Sequence, residues 1–588
     1  MNAYASLRQA IQIPARVTLG LHGLACGLGL FLAMAAMAAF TPVARAQAPA
    51  TLSPSRPLNI ILVLRDQTRH ELPLAVGYNT PALDRLAQQG IVFRNHYIAS
   101  AMCTPSRAAL YSGQPPQVNG VFDQMEAGYV PSLPKDRPNM GSMMKKLGYR
   151  TAFYGKWEMD FGILPPKPTV NSTDALRPYG FDIYQPDGDK TGTPDQGYKT
   201  DVYTAAESVR WLRGNVPELR QSGQPFFMVV SFVNPHDIMY ADANVPGTPQ
   251  VQKAIVNDVL TAPPKNSLYG KRWNTAPSPT LQDGLSAPGM PAALTDYHLG
   301  WSGALGSIPV NRPDMWRVFN DYYLNLIRDT DTSLQQLLDG LDELNLWENT
   351  VVIFTADHGE MAGDHGGLRG KGPFAYEGNS HVPLIVVHPN YPRGQSSAAL
   401  TSHLDLMPSL PGLAGVPEAQ RREAVKDLPG RDFSGVLANA ETAAPQAVRP
   451  GVLFNYVAPL TIDSDYCLAG MTQLLQGKVT PPLTELQSKL GKRGFLSFAF
   501  DGRYKFARYY SPANFNTPET LEQILRNNDL QLFDLKNDPL ETHNLAVDPD
   551  KNEDVILRMN ALLNELMAKE VGKNEGGFLP AAIRPRPQ

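Results

Sequence analysis

Four apolar runs of this chain each lead into residues that can do chemistry. Asn59–Leu64 is followed by Asp66 and Gln67, and Thr151–Tyr154 by Lys156. Phe226–Val233 leads into Asn234-Pro235-His236-Asp237, and Val351–Phe354 into Asp357 and His358. Two carboxylates, an imidazole and an amide are ligands for a divalent cation of the Ca²⁺, Mg²⁺ or Mn²⁺ type. Lys156, His236 and the later Lys371 are groups that hold an anion and move protons. A cation centre facing an oxyanion is what phosphoryl or sulfuryl transfer needs, because negative charge on oxygen must be stabilised in its transition state. Taken singly, each residue has a plainer reading: an Asp after a strand is usually a cap or turn residue. Four runs ending alike carry the weight.

The elements that must position these groups follow from periodicity. The runs suit parallel strands covered on both faces, and Val382–Val387 is a fifth. Helical spacing marks Thr80–Gly90 and Phe319–Leu344, the latter through Tyr323, Leu326, Ile327, Leu334, Leu337, Leu338 and Leu341. Strands alternating with helices predict an α/β fold, with its site at the carboxyl ends of the strands. Residues 241–315, rich in Pro, Gly, Ser and Asn, read as a long insertion and a candidate substrate lid. Leu453–Val457, Phe495–Phe500 and Tyr504–Tyr510, with a helix near Glu553–Lys569, predict a smaller C-terminal α+β domain. The expected divisions are a catalytic domain over 58–440, the smaller domain over 441–570 and a tail over 571–588.

Composition sets the outer bounds. The chain has 588 residues, 43% hydrophobic and 18% charged, as expected of a globular protein with more than one domain. Residues 1–46 contain Arg8 and Arg16, an apolar run from Val17 to Phe40 and then Ala44-Arg45-Ala46. This is the pattern of a cleaved export signal, followed by a linker over 47–57; an uncleaved anchor is the rival, since the run is long enough to span a bilayer. Without Arg8, Arg16 and Arg45 the 52 basic residues become 49 against 56 acidic ones, a net charge of −7. Such a balance excludes nucleic acid and anionic membrane surfaces as natural partners. The expected location is periplasmic or secreted, with no stable membrane association once the signal is removed.

Processing leaves two cysteines, Cys103 and Cys467. In an oxidising compartment they could form one disulfide. Alternatively, Pro105 fits the first turn of a helix, and Cys103 at that helix's N-terminus could be a reactive thiolate.

The sequence around Cys103 carries a resemblance. Cys103-Thr104-Pro105-Ser106-Arg107 resembles the modification motif of the type I, formylglycine-dependent sulfatases of the alkaline-phosphatase-like superfamily. The family's other elements follow in order: Asn59–Gln67, Gly148–Trp157 with Gly155-Lys156-Trp157, Asn234–Asp237, Thr355–Glu360 with Gly370-Lys371, and Leu532–Pro539. The resemblance implies an alkaline-phosphatase-like fold, a large, mostly parallel mixed sheet flanked by helices plus the smaller C-terminal domain. It implies one metal ion, Ca²⁺ by the family's habit and Mn²⁺ as an alternative, held by Asp66, Gln67, Asp357, His358 and the modified Cys103. It further implies that a formylglycine-forming enzyme oxidises Cys103, and that one hydroxyl of the hydrated aldehyde, on the metal, is the nucleophile. Arg107 and Lys156 hold that hydroxyl, while His236 and Lys371 meet the substrate oxyanion. A sulfate hemiacetal then breaks by loss of the second hydroxyl's proton. The implied substrate is a small-molecule or carbohydrate sulfate ester.

Five positions depart from the pattern, of which Ser112 for a more common Thr is minor and Arg65, just before Asp66, is turned away from the metal by strand alternation. Gln67 stands where most sulfatases have an acid and His358 where many have Asn, a pairing similar to phosphonate monoester hydrolases and choline sulfatases. A phosphonate monoester or phosphodiester hydrolase is therefore the alternative activity. Glu158 stands where the family usually has His, and an acid beside an anion needs a partner; Lys156 and His236 are the candidates.

Overall fold

The computed structural model describes residues 57–72, 75–164 and 172–585. The expected signal (1–46) and nearly all of the linker (47–57) lie outside the described residues. Every apolar run singled out above is a buried strand: β1 (Asn59–Arg65), β3 (Arg150–Gly155), β5 (Phe226–Phe232), β6 (Thr350–Thr355) and β7 (Leu384–Val387). Three more, β2 (Ile91–Tyr97), β4 (Ile183–Tyr184) and β8 (Gln395–Ser402), complete an eight-stranded sheet of order β4-β3-β5-β1-β6-β7-β2-β8. All neighbours are parallel except where β7 meets β6 and β2. β7 runs backwards, so its start, beside His381, lies at the edge where β1, β3, β5 and β6 end.

Both faces are covered, which is why the central strands are apolar at successive positions. The long helices Gln196–Ser222 and Pro313–Glu343 share one core with Ile61, Val63, Met228, Val230, Val352 and Phe354. Leu62, Leu64, Phe227, Val229 and Ile353 turn to the opposite side and join the largest core. That core continues into a second, four-stranded antiparallel sheet of order β12-β11-β10-β9, built from β9 (Val452–Tyr456), β10 (Phe495–Phe500), β11 (Tyr504–Tyr510) and β12 (Asp529–Asp534). The helix Glu553–Glu570 packs its Ile556, Met559 and Leu563 against this sheet's far face. The chain thus has a large, mostly parallel mixed sheet flanked by helices and a smaller antiparallel sheet domain.

The insertion over 241–315 is less irregular than its composition suggests. It contains a helix, Ala292–Leu305, whose Ala293, Leu294, Tyr297, Gly300, Trp301 and Ala304 are buried at helical spacing. Small residues hid this helix from a reading based on large apolar side chains. They also allow close packing: a Cβ on Gly300 would come within 2.6 Å of Cys467 Cβ, on the helix Ser464–Leu475. Ala243, Tyr269, Trp273 and Leu281 of the insertion join a core with Trp316, Phe319 and Tyr323 of the long helix.

Candidate active site

The turns after β1, β3, β5 and β6 meet at one edge of the sheet, and the helix Cys103–Ser112 points its N-terminus at the same place. Asp66, Cys103, Asp357 and His358 each offer a ligand atom, and these atoms all lie within 4.8 Å of one another. The Cys103 Sγ is 3.2 Å from His358 Nε2 and 3.9 Å from Asp66 Oδ1. His358 Nδ1 lies 3.0 Å from the Gly359 carbonyl. That contact places the proton on Nδ1 and turns the bare Nε2 lone pair toward the cluster, as a ligating imidazole requires. Two carboxylates and an oriented neutral imidazole are a donor set that fits a divalent cation.

Arg107 ties the cluster together from one helical turn further on. Its Nε donates to Asp357 Oδ2 (2.9 Å) and its Nη2 to Asp66 Oδ2 (3.0 Å). Its Nη1 donates to the Lys156 carbonyl (2.7 Å) and to Ser231 Oγ (2.9 Å). One guanidinium thus fixes both acids and the ends of β3 and β5. Lys156 Nζ stands 2.8 Å from Asp66 Oδ2. The turn that delivers it needs Gly155 at φ +100°, because a Cβ there would lie 1.8 Å from the Ser231 carbonyl oxygen. Asp357 Oδ1 accepts the backbone N–H groups of Gln67 (3.1 Å) and His358 (2.9 Å).

Gln67 is placed by its amide, with each end matched to a partner of the right polarity. Nε2 donates to Glu360 Oε2 at 2.5 Å, and Oε1 accepts from Lys371 Nζ at 2.7 Å. Glu360 is itself pinned by the N–H groups of Ala362 (2.9 Å) and Gly370 (2.7 Å). His236 is buried at the end of β5. Gly192 closes over it so tightly that a Cβ would come within 2.5 Å of its ring.

Electrostatics divide the site into charged and neutral groups. Burial alone would raise the Asp66 carboxyl, but Lys156, His236 and Arg107 together pull it well below the carboxylate range. Lys156 is buried, yet Asp66 keeps its ammonium form well above the usual lysine range. Burial, with Lys371 and Lys156 nearby, holds His236 neutral. Burial lowers His358 to about 4 despite Asp357. Burial and the Asp66 charge push the Cys103 thiol up. Low dielectric and the adjacent carboxylate thus oppose the thiolate that a helix N-terminus favours. The disulfide reading is overturned, since Cys103 and Cys467 are both free and buried.

All the residues singled out from sequence converge: Asp66, Gln67, Cys103, Arg107, Lys156, Asp357, His358 and Lys371 are joined by the contacts above, and His236 lies within their electrostatic field. Several supporting groups went unread. Ser231 closes the Arg107 fork. Asp189 accepts the backbone N–H groups of Trp157 and Glu158, each at 2.8 Å, and so shapes the turn carrying Lys156. Glu126 faces Glu158. None follows an apolar run, so strand-end reasoning had no signal for them. Arg65 is turned away, donating to Thr68 Oγ1 and lying over the Phe354 ring, as strand alternation predicts.

A sheet of this order with a metal-type cluster, a buried Arg fork and lysines at one edge defines a hydrolase-like site for an oxyanion ester. Comparison with known proteins makes this specific: residues 58–416 match the sulfatase family, and the chain belongs to it. It is 28% identical over 386 residues to arylsulfatase K of Gallus gallus, a match taking in 64% of this chain and 66% of that protein. It is 25% identical over 446 residues to an N-acetylglucosamine-6-O-sulfatase of Bacteroides thetaiotaomicron, covering 68% and 74% respectively. Among solved structures, the phosphonate monoester hydrolase of Agrobacterium radiobacter shares the fold at a TM-score of 0.58 and 21% identity, covering 87% of this chain and 96% of that one.

Proposed function

We propose that the protein hydrolyses sulfate esters, with Cys103, oxidised to formylglycine, as its nucleophile. The observation that carries this reading is the position of Cys103 at a helix N-terminus, 3.2 Å from His358 Nε2 in a cluster with Asp66 and Asp357. A buried, protonated thiol is a poor nucleophile, whereas a hydrated aldehyde at the same carbon offers two hydroxyls. One attacks sulfur; the other, by losing its proton, expels sulfate without water attacking sulfur. Cys103 and Arg107 are both closed to solvent, so the modifying enzyme acts on the chain before it folds.

Asp66, Asp357 and His358 would hold the divalent ion together with the modified Cys103, with Gln67 beside them; when bound, the ion supplies Lewis-acid charge to the oxyanion. Ca²⁺ is the expectation and Mn²⁺ the alternative. Arg107 keeps the two acids aligned. Lys156 and Lys371 bind the anion, and neutral His236 stands ready to exchange a proton with the departing alcohol. Trp301 packs with Ile238, Met239, Phe319, Glu360 and Arg369 around a gap too small to admit a water molecule, next to Lys371, whose Nζ is 3.5 Å from Met239 Sδ. Trp301 belongs to the 241–315 insertion, which supports its role as a lid over the alcohol. The sugar sulfatase among the relatives supports a carbohydrate sulfate as substrate. Among the described residues no helix is long and apolar enough to cross a membrane. The cleaved signal and a periplasmic or secreted location rest on the sequence of residues 1–46.

A phosphonate monoester or phosphodiester activity is the second reading, favoured by Gln67 and His358 in place of the family's more frequent residues. One comparison decides. Purified enzyme and a Cys103→Ala blank receive an aryl sulfate, an aryl phosphonate monoester and an aryl phosphodiester. A dominant sulfate rate that vanishes in the blank is expected, and a dominant phosphorus rate reverses the assignment. A peptide map of active enzyme with Cys103 unaltered sinks the formylglycine nucleophile.

A further inference from the structure

Glu158 is a carboxyl group in a place where an ionised one works against an anion. It is buried, and its Oε2 lies 3.2 Å from Lys156 Nζ and 4.0 Å from Arg107 Nε. Its backbone is held at φ +59°, with its N–H fixed by Asp189 at 2.8 Å. Glu126 reaches the same spot from a short turn, Met125–Ala127, and its carboxyl is within hydrogen-bonding reach of Glu158. That turn is latched to the helix bearing Cys103: Thr104 N–H donates to Gln124 Oε1 (3.0 Å) and Met125 N–H to Thr104 Oγ1 (3.2 Å). Apart from the Lys156 ammonium, neither Glu158 oxygen nor Glu126 Oε2 meets a hydrogen-bond donor among the described residues. Two carboxyl groups brought together with one ammonium beside them favour holding a proton between them.

We propose that Glu126 and Glu158 share one proton, and that while it is held Glu158 acts as a positioning residue that leaves the Lys156 charge free for the substrate oxyanion. When that proton is lost, the Glu158 carboxylate claims Lys156 and places a negative charge beside Arg107, and anion binding weakens. The inference rests on the reading of this edge as an oxyanion site. Burial and Glu126 hold the Glu158 carboxyl well above the usual carboxylate range against the pull of Lys156, and Glu126 is raised by its own burial.

The other groups facing the pair leave a clear window for observing it. Asp66 is held low, Lys156, Arg107, Cys103 and Tyr240 are held high, and His236 is held neutral. Asp189 is raised as well, but it is saturated by N–H donors and the Tyr184 hydroxyl.

The test is calorimetric binding of inorganic sulfate to the full-length protein from pH 6 to 10, a range in which sulfate itself does not titrate. Affinity should fall about tenfold or more with rising pH as a unit negative charge appears beside Lys156. Glu158→Gln should bind with nearly constant affinity across the range. Glu126→Gln, which removes the repulsion and offers Glu158 an amide donor, should move the fall to lower pH. A wild-type profile that stays flat overturns the inference, as does a fall that survives unchanged in Glu158→Gln. Sulfate failing to bind any of the three at any pH overturns the oxyanion reading itself, and the switch with it.

Discussion

Replacing Arg107 by Lys keeps the charge and removes the fork. The guanidinium makes four hydrogen bonds, to Asp357 Oδ2, Asp66 Oδ2, the Lys156 carbonyl and Ser231 Oγ. An ammonium group is a single point and reaches at most one of the two carboxylates. Lys156 already stands 2.8 Å from Asp66 Oδ2, so the loss falls on Asp357, whose Oδ2 has no other described partner. One lost charge-assisted bond is worth about 1.5–3 kcal/mol, and the weaker contacts to Ser231 and Lys156 add to it. Arg107→Lys should therefore cost about 2–4 kcal/mol. Arg107→Ala, which leaves a buried charge without its partner, should cost about 3–5 kcal/mol. The assay is denaturant unfolding of metal-free protein, read at the first transition, with activity measured separately on metal-loaded protein without denaturant. Activity should collapse in both variants, because Asp66 and Asp357 are no longer held in register. If Arg107→Lys unfolds within about 0.5 kcal/mol of wild type, as a surface substitution would, the fork does not organise the site.

Gln67→Glu puts a carboxylate where an amide donates to Glu360 at 2.5 Å. It should destabilise the fold by about 2–4 kcal/mol near pH 8, with recovery near pH 5, where a shared proton can bridge the two acids. Equal stability at both pH values would show that Gln67 does not depend on Glu360. His403 is buried, lies 3.0 Å from the Ala356 carbonyl, and is lowered by burial to about 3. The unfolded chain takes up a proton there below about pH 6.5 and the native state does not until about pH 3, so stability falls as pH drops through that window. His403→Gln should remove about 2 kcal/mol of the loss between pH 7 and 5, read as a smaller shift in denaturant midpoint. Adding a divalent ion to chelator-treated protein should raise the unfolding temperature in a concentration-dependent way. Asp357→Asn should abolish that rise, and a rise that persists would place the ion elsewhere.

The sheet was largely legible because its central strands are buried on both faces and therefore read as unbroken apolar runs. β1, β3, β5, β6 and β7 all announced themselves in this way. β2 did not, because Arg94, Asn95 and His96 interrupt Ile91–Tyr97: Arg94 and Asn95 are half-buried, and His96 pairs with Thr401 Oγ1. β8, near the sheet's edge, is mostly small and polar, and β4 has only two residues. The helix within 241–315 was invisible for a related reason: its buried face depends on Ala and Gly, whose value is close approach rather than apolar area. Strand ends located the Asp66, Lys156, His236 and Asp357 groups, since topology alone brings such ends together. Ser231, Asp189, Glu126 and the two-sided grip on Gln67 depend on which side chain meets which across more than 30 residues. No local pattern encodes that.

The site's charges explain why so many polar groups are buried together. Asp66 and Asp357 are matched by Arg107 and Lys156; Lys371, a further cation, donates to the neutral Gln67 oxygen and lies beside Met239 Sδ, and Glu360 and the proton-sharing Glu126–Glu158 pair add negative charge. His236, His358, Cys103 and Glu158 are all held uncharged. Before any ligand binds, the edge is therefore near charge balance. Adding a divalent cation at the two acids gives it a positive excess, and it is an anionic ester at Lys156 and Lys371 that restores balance. Each neutral group is a condition of this order of events. Were Glu158 ionised, it would neutralise the excess in the substrate's place; were Gln67 an acid, it would hold Lys371 away from the anion. The departures from the common sulfatase pattern at these two positions thus act on the same quantity, the positive charge left over for the substrate, and Glu126 and Glu360 are the residues that set it.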